Sequence, residues 1–107
     1  MKVPDSRLVP DWDESNVEHV ARHGVIPEQV EEVYYGEGPV PTLGVRLPAR
    51  GPSGSHEHRY RLWGTDASGT FLEAIIAPFP TLGIWRCVTA YPMSKSARRA
   101  YLRRIRR

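Results

Sequence analysis

The sequence is short of cysteine and of long apolar runs. Among its 107 residues only Cys87 is a cysteine, so an internal disulfide is excluded and a cysteine-based metal site has no framework. No apolar stretch approaches the roughly 20 residues that cross a bilayer, and the start at Met1 lacks the apolar segment of a secretion signal. No glycine-rich phosphate loop leads into a helix, which leaves nucleotide hydrolysis without support. These absences predict a cytoplasmic protein that does not bind a membrane.

The composition is nevertheless that of a folded chain. Hydrophobic residues make up 40% and charged residues 25%, and three Trp, five Tyr and two Phe supply large side chains for a core. The length supports one compact domain and leaves no room for a second independent core. We therefore expect a single domain over residues 1–107, which excludes a two-domain enzyme.

The charge is divided unevenly along the chain. Residues 1–37 hold three basic and nine acidic side chains, a net charge of −6, whereas residues 38–107 hold twelve basic and three acidic ones, a net charge of +9. The basic part suits a polyanionic partner. Acidic helices and basic strands that neutralise one another in the fold would give the same division, so the charge alone leaves both explanations open.

Capping residues predict two helices near the start of the chain and a third at its end. The acids of Asp11–Asp13 can cap a first helix, which stops at Gly24. A second helix is expected over Pro27–Gly36, with proline in its first turn and glycine at its end. The serine that begins Ser94–Ile105 can cap the last helix.

Between the helices the apolar period changes to two-residue alternation, which predicts strands. Proline and glycine interrupt the first strand, so we expect an edge strand followed by a loop over residues 48–55. The four predicted strands are Val40–Leu47, His58–Trp63, Thr70–Ala77 and Ile84–Ala90. The element order predicts an α+β domain with two N-terminal helices, a four-stranded and mainly antiparallel sheet, and a basic C-terminal helix.

Several short motifs resemble those of the BrnT toxin family, in the same order and over nearly the whole chain. The most specific is the opening pattern of Trp-Asp, Asn and Arg-His-Gly-Val within residues 12–25. Weaker matches follow in the strands and in the closing helix. The matching residues are Trp12-Asp13-Glu14, Asn16, Arg22-His23-Gly24-Val25, Val33-Tyr34-Tyr35, Arg59-Tyr60, Gly64, Arg86-Cys87-Val88-Thr89-Ala90 and Tyr101.

The resemblance implies a toxin of a bacterial type II toxin–antitoxin pair. It further implies a RelE-like fold, a ribonuclease activity that arrests translation, and a DNA-binding antitoxin protein as the partner. The family's positive positions and the histidine of its first motif fall on Arg22, Arg59, Arg86 and His23. Tyr91 stands where the family has an arginine, and Ala97 stands where it has a glutamate.

Arginines on the strands suit a metal-free cleavage of mRNA. That reaction removes a proton from a 2′-hydroxyl, stabilises charge on the phosphate oxygens and protonates the leaving 5′-oxygen. Arg59 and Arg61 share a strand face because they are two residues apart, and Arg86 can join them from another strand. A lone strand arginine is usually a solvated charge, whereas a converging group indicates an anion. We expect Arg59 and Arg86 to bind the phosphate.

Histidine and tyrosine side chains are the candidates for proton transfer. The four histidines are His19, His23, His56 and His58. His23 ends a helix, where its cation can instead stabilise the terminal carbonyls. His58 points away from Arg59 in a regular strand. Tyr91 is the preferred candidate for proton transfer or base stacking, with packing as an equal alternative, and we expect Tyr91 or His23 to assist catalysis.

Metal and thiol chemistry have little support. His56-Glu57-His58 supplies two ligands on one strand face, but no third ligand is evident in the sequence. Cys87 lies within an apolar strand, which is typical of a core residue rather than a nucleophile. Trp63 and Trp85 can stack on bases, although such aromatics more often belong to the core. We therefore expect neither a metal nor a cofactor.

The last thirteen residues carry seven positive charges and no acid. We expect Lys95, Arg98, Arg99 and Arg103, together with Arg61, to hold the RNA backbone through counterion release. The same helix can instead dock an acidic segment of the antitoxin or form a solvated surface. Three functions therefore stay open, namely a ribonuclease toxin, a non-catalytic module that binds RNA or the ribosome, and a protein-interaction domain.

Overall fold

The computed structural model describes residues 4–36, 46–50 and 56–105. Within these ranges the chain forms three helices, five strands and one 3-10 turn. Their bounds are β1 Val9–Pro10, α1 Glu14–Ala21, α2 Pro27–Tyr35, β2 Arg46–Arg50, β3 His56–Thr65, β4 Phe71–Phe79, the turn Pro80–Leu82, β5 Ile84–Pro92 and α3 Lys95–Ile105. The predicted α+β class is confirmed.

The five strands form one mixed sheet in the order β1-β5-β4-β3-β2. Strands β2 to β5 pair antiparallel with their neighbours, whereas β1 runs parallel to β5. The backbone N–H of Val9 donates to the carbonyl of Gly83 at 3.0 Å, and that of Asp11 donates to Trp85 at 2.9 Å. The start of the chain is thereby fixed to the last strand.

Side-chain capping sets the start of α1. The Asp13 carboxylate accepts from the backbone N–H of Asn16 at 3.0 Å, and the Asn16 side chain accepts from the Asp13 N–H at 2.8 Å. This reciprocal pair satisfies two donors that a helix start leaves free. The helix ends at Ala21, and the turn after it closes at Gly24, whose φ of 75° is left-handed. The predicted cap and stop are confirmed.

The second helix is fixed at both ends and tied to a turn of the sheet. Gly36 ends α2 with a left-handed φ of 65°, a conformation that suits glycine. At the other end the Gln29 side chain accepts from the Ile26 N–H at 2.9 Å and donates to Asp66 at 2.9 Å. Since Asp66 lies in the turn between β3 and β4, α2 is held against the sheet.

The basic helix α3 starts where Ser94 predicts it to start. The Ser94 hydroxyl accepts from the backbone N–H of Ala97 at 3.1 Å. Tyr101 is the buried anchor of the helix, and its ring meets the edge of Phe71 at a centroid distance of 6.0 Å. Across 4–36, 46–50 and 56–105, no helix combines the length and the apolar character that a bilayer span requires.

The core lies between the sheet and the helices α1 and α2. Trp85 is at its centre with 0% exposure, stacked on Tyr34 at 4.3 Å and 12° and met edge-on by Trp12 at 6.1 Å. The other members of this apolar cluster are Leu8, Val20, Val25, Val30, Val33, Leu62, Leu72, Ala74, Ile76, Cys87 and Ala90. Burial of one such large side chain contributes about 1.5–3 kcal/mol.

The structure corrects the end of one predicted strand and adds a strand that was not predicted. The described strand β2 spans Arg46–Arg50 and so continues past the predicted end at Leu47, and residues 48–50 of the predicted loop over 48–55 are extended. Residues 40–45 of that prediction lie outside the described residues. Pro48 is tolerated because β2 is an edge strand, where a missing N–H costs least. Strand β1 was not predicted, because a strand of two residues is too short to show an alternation of apolar and polar side chains.

Candidate functional site

A β-bulge in β5 gathers polar residues on one face of the sheet. The register between β4 and β5 shifts by one residue, which leaves Val88 without a partner. Arg86 and Tyr91 are five residues apart and would point to opposite faces of a regular strand. Because of the bulge they lie opposite Ala77 and Glu73, which are four apart and share a face.

We call this surface the polar face. Strand alternation and the strand register assign nine residues of β3, β4 and β5 to it. They are Arg59, Arg61, Trp63, Glu73, Ile75, Ala77, Arg86, Thr89 and Tyr91. Helix α1 borders it beside β5, and α3 covers its other end, where Tyr101 meets Phe71. The opposite side of the same strands carries the aromatic core.

One cavity brings together two of the arginines predicted to bind phosphate. It has a volume of about 220 Å³ and lies between α1 and the sheet. Its lining residues are Ser15, Asn16, His19, Arg59, Ala77, Arg86, Cys87 and Val88. Arg59 and Arg86 thus converge from different strands, with an imidazole beside them. The volume suits a small polar group such as a phosphate rather than a large ligand.

Arg86 is also held by two carboxylates from the start of α1. Its guanidinium donates to Asp11 at 2.6 Å and to Asp13 at 2.7 Å. The Asp13 hydrogen bond is the main reason that the pKa of Arg86 is raised, so the group stays charged. The pKa of Asp13 is lowered, first by the backbone N–H of Asn16 and then by Arg86. A phosphate at Arg86 therefore competes with two carboxylates, and the pairing positions α1 against β5.

A buried carboxylate organises the middle of the polar face. Glu73 is 9% exposed and receives hydrogen bonds from Nε1 of Trp63 at 2.7 Å and from the Tyr91 hydroxyl. Nε of Arg61 lies 3.9 Å from the same carboxylate oxygen that Tyr91 contacts. Three side chains from the two neighbouring strands therefore meet at one acid.

The hydrogen bond to Glu73 determines the protonation state of the Tyr91 phenol. It is the largest cause of the raised pKa of Tyr91, followed by burial, while Arg61 acts in the opposite direction. The phenol accordingly keeps its proton through the neutral range. Tyr91 is thus a donor toward Glu73 and cannot act as a free phenolate base near neutral pH.

Two histidines connect Tyr91 with the cavity. The ring of His23 meets Tyr91 edge-on at a centroid distance of 5.7 Å, and His19 lies 6.0 Å from His23. Both side chains are exposed, and His19 also lines the cavity with Arg59. The structure therefore brings the two predicted proton-transfer residues, His23 and Tyr91, into contact.

The cations of α3 divide into two groups. Arg98 lies over the ring of Phe71 at 4.2 Å, and Arg104 lies over Trp63 at 4.9 Å, so both are cation–π contacts to the sheet. Lys95, Arg99 and Arg103 are exposed on the helix surface. The motif residue Arg22 is exposed at the end of α1 and does not line the cavity.

Sequence reasoning did not select Glu73 or His19. The signal for Glu73 is a lone acid inside an apolar strand, Phe71–Phe79, which is unusual enough to mark a functional group. His19 was one of four histidines and is distinguished only by its position four residues before His23, on one helix face.

The structure gives the surroundings of Cys87 and of the side chains that could bind a metal. Cys87 is buried, and burial raises the pKa of its thiol to about 12, which keeps it neutral and confirms that it is a core residue. In the part of the chain that the structure describes, no group of three or more His, Cys, Asp or Glu side chains is arranged to hold a metal ion. The side chains of His56 and Glu57 lie outside the described residues.

Two of the short sequence motifs meet in the structure. Asp13 of the opening motif pairs with Arg86 of the β5 motif, and Tyr34 of the second helix stacks on Trp85. These contacts link segments that are distant in the sequence. Compared with models of protein families, with curated proteins and with solved structures, the chain has no match.

Proposed function

We propose that this chain is an endoribonuclease toxin of the BrnT-like class, which cleaves mRNA without a metal and thereby inhibits translation. The observation that carries the proposal is the juxtaposition of His23 and Tyr91 with an arginine-lined cavity on one open sheet face. Arginines, an imidazole and a hydroxyl are the groups that transesterification at a phosphodiester needs.

Each step of the reaction has a candidate group on the polar face. Arg59 in the cavity binds the scissile phosphate, and Arg61 extends the positive field along β3. His23, beside Tyr91, supplies the proton to the leaving 5′-oxygen. Arg86 lines the same cavity, where a phosphate would compete with the two carboxylates, Asp11 and Asp13, that pair with it.

Helix α3 provides the surface for the RNA backbone. Lys95, Arg99 and Arg103 are exposed, and Arg98 lies at the edge where Phe71 meets the helix. Since no acid occurs in the helix, its field is uniformly positive. Binding through such cations releases counterions and weakens steeply with salt.

The remaining parts of the proposal concern the fold and the partners. An N-terminal helical hairpin, an antiparallel run of β2 to β5 and a basic closing helix support a RelE-like arrangement, to which β1 adds a short parallel strand. A DNA-binding antitoxin is the proposed protein partner, mRNA is the proposed substrate, and the ribosome is a further candidate partner. The proposed location is the cytoplasm.

The test is cleavage of an end-labelled RNA transcript by the purified chain in the presence of a chelator. We expect Arg59→Ala to lower kcat by about 10²–10³-fold, because a preorganised donor to the phosphate is lost. RNA affinity, measured by fluorescence anisotropy, should fall far less. Arg7→Ala is the matched control, since Arg7 is 87% exposed and pairs with Asp5 away from the cavity.

A wild-type protein that binds RNA with a steep salt dependence but never cleaves it would contradict the proposal. That result would favour the non-catalytic module that binds RNA or the ribosome. Induced expression in a bacterial host gives the second measurement, with growth and bulk RNA followed together. Growth arrest with RNA decay is expected for the wild type and not for Arg59→Ala.

A further inference from the structure

Two buried acids among the described residues differ in what surrounds them. Asp66 caps a turn, because its carboxylate accepts from the backbone N–H groups of Ser68 and Thr70 at 2.9 Å each. Glu73 caps no turn, and the side chains that contact its carboxylate come from β3 and β5. Burial of a charge away from any turn is costly and is usually retained for a purpose.

The direction of the Tyr91 hydrogen bond carries the argument. The Tyr91 hydroxyl donates its only proton to Glu73, so its oxygen can only accept from a group on the polar face. A ribose 2′-hydroxyl is a donor of the required kind, and a deoxyribose lacks it. The pair therefore presents an acceptor where the proposed reaction must remove a proton.

We propose that Glu73 is the final proton acceptor of the cleavage step, reached through the Tyr91 hydroxyl. This assignment rests on the proposed ribonuclease function and deepens it. The 2′-hydroxyl proton moves to the Tyr91 oxygen while the phenol proton moves to Glu73. The 2′-oxygen forms its bond to phosphorus, the bond from phosphorus to the 5′-oxygen breaks, and the His23 imidazolium protonates that oxygen.

The step is balanced without a co-reactant. One proton reaches Glu73, and another leaves His23 for the 5′-oxygen. The products are a 2′,3′-cyclic phosphate and a 5′-hydroxyl, and proton exchange with water restores both groups. DNA can occupy the same face but cannot be cut.

The groups around the pair fit a relay. Arg61 of β3 faces the carboxylate at 3.9 Å, and His23 at the end of α1 faces the Tyr91 ring. From α3, Arg104 lies on Trp63, whose indole N–H holds the other carboxylate oxygen of Glu73. Glu73 is thus fixed by Trp63 and left with one oxygen directed at Tyr91.

Glu73→Gln and Tyr91→Phe test the relay in the full chain, with an end-labelled transcript as the substrate. We expect each variant to lower kcat by about 10²–10⁴-fold, with KM little changed. The double variant should be no worse than either single one, because the two groups act as one unit. The shape of the kcat–pH profile should differ between the wild type and Glu73→Gln, because the final proton acceptor is removed. A merely structural role would not change the shape of that profile.

Asp66→Asn is the matched control, since it neutralises the other buried acid and is expected to keep the wild-type kcat. If the wild type cleaves RNA and Tyr91→Phe retains its kcat and pH profile, the relay is overturned and the ribonuclease stands. That variant keeps the ring against His23, so the result holds even if Glu73→Gln fails to fold. If the wild type cleaves no RNA, the ribonuclease proposal fails and the relay fails with it.

Discussion

The two faces of the central sheet carry the same strands but different chemistry. On the core face, Trp85 stacks on Tyr34 and both side chains are buried, with the Tyr34 hydroxyl donating to the carbonyl of Asp5 at 2.7 Å. On the polar face, the buried acid Glu73 needs donors from both neighbouring strands. The difference shows that strand alternation separates the apolar core from the proposed catalytic surface, since adjacent residues of one strand belong to opposite faces. Variants on the core face should therefore lose stability, whereas variants on the polar face should lose the proposed activity.

Trp85→Ala gives the largest effect and acts on the core face. We expect a loss of about 3–5 kcal/mol in the free energy of unfolding, because a fully buried indole leaves a cavity beneath Tyr34. Urea unfolding followed by circular dichroism measures it. Leu82→Ala is the control, since Leu82 is 69% exposed and its loss should be nearly neutral. A change below about 1 kcal/mol for Trp85→Ala would contradict a core centred on this residue.

Alkaline titration compares the tyrosines of the two faces. Burial is the main cause that raises the pKa of Tyr34 to about 12, whereas the bond to Glu73 is the main cause that raises the pKa of Tyr91. We expect Glu73→Gln to bring the pKa of Tyr91 back toward about 10 and to leave Tyr34 unchanged. Phenolate absorbance measures this, with Tyr91→Phe identifying the signal. An unchanged titration in Glu73→Gln would contradict the assigned cause.

The same raised pKa values determine how stability depends on pH. Between the unfolded and folded pKa values the native protein holds more protons, so stability is complete below about pH 8 and falls above it, first through the thiol and above about pH 10 through the phenols. Cys87 adds to this loss, since burial raises the pKa of its thiol to about 12. Urea unfolding at increasing pH should show the decline. Constant stability through the alkaline range would refute it.

Arg86→Ala gives the smallest effect and acts where α1 meets the polar face. We expect the melting temperature to fall by only a few degrees at low salt, because Asp11 and Asp13 are 46% and 50% exposed and solvent screens both ion pairs. The difference from wild type should shrink at high salt. Thermal melts at two salt concentrations measure it, and a large loss that salt does not change would mean that packing dominates.

Local signals predicted the helices well. Asp13, Gly36 and Ser94 act on backbone groups within a few residues of their own positions. The helix starts and ends that they set can therefore be predicted from the local sequence. Strand β1 was not predictable in this way, because its two residues are defined by backbone bonds to Gly83 and Trp85, far along the chain.

The candidate site was predictable only in its residue types. Arginine, histidine and tyrosine could be selected for their chemistry, but their meeting depends on the bulge at Val88, which moves Tyr91 to the face of Arg86. No residue near Val88 marks that bulge. Glu73 was missed because its partners lie ten and eighteen residues away on two other strands.

The parallel contact of β1 with β5 has a consequence for biosynthesis. A ribosome releases the N-terminal hairpin first, yet Trp12 and Tyr34 lack the ring of Trp85, on which both pack, until β5 emerges. Arg86 and Tyr91, which complete the proposed active surface, follow within the same strand. The proposed active surface is therefore incomplete for most of translation. The proposed ribonuclease would in this way be kept from cutting its own message before the chain is nearly finished.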